Sequence, residues 1–281
     1  MVLLRHHPLL ADPKRLFGRT SLIAFFLGLV LLLSWFNGTV SAQEKFSVPI
    51  LVYHRFAPAV TDRMTVTISL FESHLRYLRD NGYTVVPLRQ LVQYRLTGAL
   101  PPSRSVVITA DDGHRSVYAH MLSLARLYQT PVTLFVYPSA ISNAAYALTW
   151  EQLWELKETG LFEVQSHSYW HPNLKEEKRR LSSKEYEKFV DIQLRKSKET
   201  LEKELKENVD MLAWPFGIFD DELIGKAVKA GYIAAFTLEG RHATLSDPLM
   251  ALPRYLMTQA QQRSAFVELL SGKLDQPKRG Y

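Results

Sequence analysis

Two short stretches of the chain hold most of the residues able to do chemistry. The first, Ser105-Val106-Val107-Ile108-Thr109-Ala110-Asp111-Asp112-Gly113, reads as a buried strand that ends in two carboxylates. Its β-branched run fits a strand covered on both faces, and Gly113 supplies permissive backbone where that strand must turn. Adjacent carboxylates repel each other, so a pair such as Asp111 and Asp112 is kept near water, a cation or hydrogen-bond donors. A divalent-metal site and a polar Asp-Gly turn both remain open readings of this stretch alone. The second stretch, Ser166-His167-Ser168-Tyr169-Trp170-His171, directly follows Glu163-Val164-Gln165. Its His-x-x-x-His spacing puts both imidazoles on one side of either a helical turn or an extended segment, so that they can converge on one ion. Among nine histidines such a pair arises easily by chance. Position sharpens it, because both stretches fall at the C-terminal ends of expected strands. One Asp and two His make a hard-to-intermediate metal site that leaves positions open for water.

The elements that must position these residues alternate. Pro49-Ile50-Leu51-Val52-Tyr53 reads as a short apolar strand ending in His54-Arg55-Phe56. Ser69 with Glu72 forms a capping-box pattern, Phe71, Leu75 and Leu78 follow at helical spacing, and Gly82 stops the helix before Tyr83-Thr84-Val85-Val86. The same punctuation recurs, with Thr149 and Gln152 opening a helix that stops at Gly160, and another stopping at Gly231 before a strand ending at Phe236. Val132 to Val136 adds a further apolar run. The segment from Ser182, capped by Glu185, to Asn208 reads as one long surface helix with Phe189, Ile192, Leu201 and Leu205 as its apolar stripe. Repetition of one strand-helix unit predicts an α/β fold with about seven parallel strands and covering helices.

The composition is that of an ordinary globular protein, and one large domain is the economical expectation. The net charge is +6. About half of it falls on the first 42 residues. The remainder is too mild to argue for nucleic acid. There is no cysteine, so disulfides and thiolate ligands are excluded and a metal must be held by His, Asp or Glu. Basic residues up to Arg19 precede the apolar run from Leu22 to Leu33, and Val40-Ser41-Ala42 follows with small residues. Residues 1–42 therefore read as an export signal peptide or N-terminal membrane anchor, which delivers residues 43–281 to the periplasm or cell envelope.

At this point the two stretches resemble a known family. Thr109-Ala110-Asp111-Asp112-Gly113 is similar to the first motif of the polysaccharide deacetylases (the NodB homology domain, carbohydrate esterase family 4), and His167-Ser168-Tyr169-Trp170-His171 to their second. Ala213-Trp214-Pro215-Phe216-Gly217 is similar to the third. Pro49 to Phe56 and the closing Leu252-Pro253-Arg254-Tyr255 look most like the branch that deacetylates poly-N-acetylglucosamine of biofilm matrices. The resemblance covers residues 48 to 257 and implies a distorted (β/α) barrel of the deacetylase type. It further implies that Asp111 is the catalytic base and that Asp112, His167 and His171 bind a divalent metal. Zinc is the first expectation, with nickel, cobalt or iron as alternatives. The implied partner is an N-acetylated polysaccharide.

Two departures from the family pattern stand out. The third motif usually opens with an Arg that tunes the base, and here the region reads Leu212-Ala213-Trp214. Arg254 either replaces that Arg or makes a structural ion pair, and it is grouped with Trp214 and Phe216 on the substrate and oxyanion side. The Leu-x-His that supplies the general acid has only a loose match ending at His242, so His54 at the first strand's end is the preferred acid and His242 a secondary candidate. Trp150, Tyr169 and Trp170 are available to stack on sugar rings. Two other classes stay open, a non-catalytic carbohydrate-binding descendant and a metal-dependent hydrolase of another ester or amide. Glycoside hydrolysis is disfavoured, because adjacent carboxylates cannot flank a scissile bond.

Overall fold

The computed structural model describes residues 46–274. The expected signal or anchor at residues 1–42 lies outside them, and among the described residues no helix is long and apolar enough to cross a membrane. The fold is built on one curled parallel sheet of seven strands in sequence: β1 (Ile50–Tyr53), β2 (Ser105–Asp111), β3 (Val132–Val136), β4 (Phe162–Ser166), β5 (Met211–Ala213), β6 (Ala234–Phe236) and β7 (Tyr255–Leu256). Their spatial order is β6-β5-β4-β3-β2-β1-β7, every neighbouring pair is parallel, and Thr84–Val85 adds a short strand beside the start of β2. The curl brings its two edges toward each other, since Leu252, just before β7, makes a parallel bridge to Phe236 of β6. This is the expected distorted barrel.

Period-two alternation divides the sheet's side chains between two apolar clusters. Val106, Ile108, Ala110, Leu134, Val136, Val164 and Leu212 pack with the covering helices, against residues such as Phe71, Leu75, Val117, Leu153 and Leu201. Their neighbours Val107, Phe135, Met211, Ala213, Ala234 and Phe236 form the second cluster with Leu252 and with Leu88, Leu91 and Val92 of the helix Leu88–Thr97. Arg89 of that helix donates to Glu163 at 2.7 Å and, through both terminal nitrogens, to Asp210 at 2.8 and 3.1 Å. A polar clamp thus holds the helix across β4 and the approach to β5.

The helix ends follow their caps. Thr149 and Gln152 cap Trp150–Glu158 reciprocally, and Ser182 and Glu185 do the same for Ser183–Asp191. The helix Ile68–Asp80 starts earlier than its sequence suggests: Thr67, not Ser69, accepts from Leu70 N and is the cap. The long surface helix also departs from expectation. A π-helical turn at Ile192–Lys196 inserts an extra residue between Ser183–Asp191 and Ser197–Leu205. The apolar stripe shifts at that point, leaving Ile192 41% exposed while Val190 and Leu194 are buried.

Candidate active site

Residues just beyond the C-terminal ends of six successive strands line one pocket of about 330 Å³. They are His54 after β1, Asp112 after β2, Tyr137 after β3, His167 after β4, Trp214 after β5 and Leu238 just past β6. Asp111, which ends β2, and His171 and Phe216 complete its reactive lining. Placement at this end is expected of a parallel barrel, where loops vary above a rigid sheet.

The two adjacent carboxylates part at the strand end. Asp111 closes the regular strand, whereas Asp112 and Gly113 both take left-handed backbone, at φ 72° and 64°. A Cβ at Gly113 would meet Val136 Cγ1 at 3.0 Å and Ile141 Cδ1 at 3.2 Å, so the turn needs glycine for space as well as for conformation. His171 and Phe216, at φ 60° and 57°, carry the same unusual backbone for non-glycine residues. Backbone strain of this kind gathers where geometry serves a site.

Asp112 meets the histidine pair. The His167-to-His171 segment is neither helical turn nor strand; Ser168 at φ 65° folds it back, and the Ser168 hydroxyl accepts from His171 N at 3.1 Å. His167 Nδ1 lies 2.8 Å from the Ala213 carbonyl, which only accepts, so Nδ1 donates and Nε2 keeps its lone pair for the pocket. Asp112 Oδ1 is 3.8 Å from His167 Nε2 and 3.8 Å from His171 Nε2. These separations are too long for hydrogen bonds. They approach the ~3.4 Å that separates ligands held tetrahedrally at about 2.1 Å from one ion. One donor atom from each of the three lies within 4.8 Å of the others. Burial, reinforced by neighbouring His167, pushes the His171 imidazole down to about 4, so it stays neutral and able to ligate. The residues present fit a small divalent ion.

Asp111 meets an arginine. Arg254 is wholly buried and grips both carboxylate oxygens, Nη1 to Oδ1 at 2.8 Å and Nη2 to Oδ2 at 2.7 Å. Its remaining donors reach Thr109 Oγ1 and the Thr237 carbonyl, each at 3.2 Å. Burial by itself would raise the Asp111 pKa, but the Arg254 charge and its hydrogen bonds, with His167, overcome it and hold the carboxyl at about 2. Asp111 Oδ2 also stands 3.7 Å from His167 Nε2, beside the ion site. Arg254 therefore does not face substrate as grouped from sequence: it is absent from the pocket lining and sits behind the carboxylate.

The remaining expected residues divide. His54 is 7% exposed, lines the pocket, and has a buried Nδ1 with no hydrogen-bond partner among the described residues; burial lowers its pKa. Trp214 is 1% exposed and donates Nε1 to the Met250 carbonyl at 2.9 Å, which fixes its ring as wall. The Phe216 ring stands edge-on to His171, at 4.6 Å between centroids. His242 is not part of the site. Its Nδ1 is 2.8 Å from Ser47 Oγ and its Nε2 2.8 Å from the Leu269 carbonyl, outside the pocket. Trp150, Tyr169 and Trp170 do not line the pocket either, and Trp170 is 45% exposed. Sequence reasoning passed over Arg55, Met64, Tyr137 and Leu238 as lining residues. Tyr137 was accessible as the residue after the apolar run Val132–Val136, while Leu238 lacks a reactive group to draw attention.

Comparison with known proteins agrees with this geometry. Residues 99–235 match the polysaccharide deacetylase family model. A poly-β-1,6-N-acetyl-D-glucosamine N-deacetylase of Staphylococcus aureus is 26% identical over 198 residues, 69% of this chain and 68% of the relative. Among solved structures, the Streptococcus pyogenes deacetylase PplD in complex with acetate superposes with a TM-score of 0.73 at 22% identity, covering 80% of this chain and 99% of that one. IcaB from Ammonifex degensii gives 0.67 at 22% identity, covering 80% and 97%. The motifs at Asp111–Gly113 and His167–His171, the matching central segment and the shared curled barrel lead to one conclusion: residues 99–235, which carry both motifs, are a polysaccharide deacetylase segment.

Proposed function

We propose that this protein hydrolyses N-acetyl groups from N-acetylglucosamine units of an extracellular or cell-envelope polysaccharide, with poly-β-1,6-N-acetylglucosamine as the favoured polymer. The observation that carries the reading is the convergence of Asp112, His167 and His171 with Asp111 beside them in one pocket. The polymer assignment rests on the names of relatives such as the Staphylococcus aureus enzyme. The basic and apolar pattern of residues 1–42 fits export to where such a polymer lies.

An acetamide resists hydrolysis because water is a weak nucleophile, resonance protects the carbonyl, and an amine leaves badly unless protonated. Asp112, His167 and His171 would hold a divalent ion, zinc by preference with nickel, cobalt or iron as alternatives. When bound, such an ion acidifies water and polarises a carbonyl oxygen. Asp111, kept ionised by Arg254, takes the proton from the attacking water as its oxygen bonds to the acetyl carbon. The turn at Trp214 to Gly217 walls the acetyl group, and the Phe216 backbone N–H is the donor we assign to the carbonyl oxygen. As the carbon–nitrogen bond breaks, the imidazolium form of His54, which its lowered pKa confines to the more acidic range and makes the readier donor, gives a proton to the sugar amine and acetate remains.

The test is acetate release by the full chain from β-1,6-linked N-acetylglucosamine oligomers, with chitin and peptidoglycan oligomers alongside. Metal-dependent release that disappears in Asp111→Asn, greatest on the β-1,6 oligomers, is expected. Greater release from another polymer would replace the substrate assignment. No release from any of them by metal-loaded protein would overturn the deacetylase reading in favour of carbohydrate binding or of another hydrolysis.

A further inference from the structure

The reactive pocket has a neighbour that its chemistry does not use. A second cleft of about 420 Å³ adjoins it, and Arg55 lines both. Besides Arg55, the ionisable groups lining this cleft are Arg115, His114, His120, Asp62 and Tyr118, whose hydroxyl donates to Glu155. Asp62 is the lone carboxylate among them, and both its oxygens are engaged. Oδ1 accepts from Met64 N at 2.8 Å and Thr65 Oγ1 at 2.9 Å, while Oδ2 accepts from Arg55 Nη1. The donors are not used up to the same degree. Arg55 donates to Asp62 through Nη1, and the side-chain bond found for Arg115 is a single donation to the Ala145 carbonyl at 3.2 Å. A cleft with surplus guanidinium donors and no spare carboxylate is built for an anion, and the planar guanidinium fork matches a carboxylate or a phosphate.

We propose that this cleft binds an anionic substituent, a carboxylate or phosphate ester, carried by the polymer unit next to the one being deacetylated, so that a polymer bearing such a substituent is preferred to unsubstituted poly-N-acetylglucosamine. The proposal rests on the deacetylase reading for what enters the neighbouring pocket, and on the cleft's own side chains for the charge it selects. A consequence follows for the product. A neighbouring unit that has already lost its acetyl group carries an ammonium, which Arg55 and Arg115 disfavour, so deacetylation should be dispersed along the chain instead of running in blocks.

The experiment compares kcat/KM for acetate release at low salt on matched N-acetylglucosamine oligomers. One set is neutral, one carboxymethylated, one phosphorylated, and one bears a free amine on the adjoining unit. About tenfold preference for at least one anionic oligomer over the neutral one is expected, with the free-amine oligomer worst and the preference shrinking as salt rises. The two anionic arms separate a carboxylate site from a phosphate site. Arg115→Gln, which lies outside the reactive pocket, should keep the rate on the neutral oligomer and lose most of the preference, and Arg55→Gln should lose it as well. An anionic oligomer no better than the neutral one, or a preference untouched in Arg115→Gln, overturns the proposal even where acetate is released normally. Should the enzyme release no acetate from any oligomer, the same set is titrated calorimetrically against it. Tighter binding of the anionic oligomers, weakened by Arg115→Gln, then upholds the cleft while the deacetylase reading falls, and equal binding overturns both.

Discussion

Asp111 and Asp112 are consecutive and chemically identical, and their surroundings give them different work. Asp111 is clamped by a buried guanidinium and held at about 2, whereas Asp112 turns away to share space with two imidazoles. Removing the clamp should show this directly. With its folded pKa depressed, Asp111 stays ionised down to about pH 2, so it sets no acid limb at ordinary pH in the native enzyme. In Arg254→Met, burial is opposed only by the neighbouring His167 and His54, the Asp111 pKa rises, and the acid limb of kcat/KM should climb into the measurable range with a loss of roughly tenfold or more near neutrality. A pH profile from pH 4 upward checks it, and an unmoved acid limb would show that Arg254 does not tune the base. His54 is tested by its leaving group. His54→Gln should cut kcat on the amide by about 10²- to 10⁴-fold while bound metal is unchanged, yet spare an aryl acetate whose leaving group needs no proton. Equal losses on both substrates would take the acid role away from His54. The carboxylates and histidines of the pocket were legible in the sequence because reactive residue types at strand ends are conspicuous. Arg254 was visible as a candidate for the missing tuning Arg, but the choice between that role and a separate ion pair was not, because its partnership joins residues 143 positions apart and depends on β7 pairing beside β1.

At the scale of elements, the helix Ile68–Asp80 is tied to the end of the domain through one buried histidine. His74 Nε2 lies 2.7 Å from the Gln261 carbonyl and therefore donates to it, which leaves Nδ1 to accept from the Tyr53 hydroxyl at 2.9 Å, while the ring stacks on Phe266 at 4.0 Å. Burial pushes its pKa down from 6.5 to about 4 despite the Gln261 bond. The folded pKa is the lower one, so between these values the unfolded chain binds the extra proton. The stability tied to His74 is complete above about pH 6.5 and drains away as pH falls toward 4, by about 3 kcal/mol in all. Urea unfolding of the native chain and of His74→Gln across this range should show the gap between them closing toward low pH. A constant gap would mean that the histidine does not titrate in this way. Local sequence predicted the elements where their signals are local, as at the capping boxes of Thr149 and Ser182. It misplaced the Ile68–Asp80 cap, since Thr67 and Ser69 are both competent caps two residues apart. It also misread Ile192, because one inserted π-turn resets the helical phase for everything after it.

At the scale of the molecule, six parallel strands each deliver a residue at or just beyond their C-terminal ends to the same pocket, and a helix packs with the second apolar cluster of the sheet. The repeated strand-helix pattern made the architecture legible in advance. The closure of the sheet was not, since it depends on the bridge between Phe236 and Leu252 and on strands only two or three residues long, too short to show periodicity. A site assembled from distant strands exists only in the folded chain, so a metal that binds it must also stabilise the fold. Filling the site to one hundred times its dissociation constant should add about 2.7 kcal/mol to the unfolding free energy, read as a rise in Tm on metal addition. No rise, or an equal rise in Asp112→Ala, would separate metal binding from these ligands. The central claim is that one divalent ion on Asp112, His167 and His171 is required for amide hydrolysis. The most direct measurement titrates the chelated full chain with zinc while following acetate release from β-1,6-linked N-acetylglucosamine oligomers and bound metal in the same samples. Acetate release that grows in proportion to bound zinc and saturates at about one equivalent per chain is predicted. Full release by the metal-free chain, or none from a chain holding one equivalent, would contradict it.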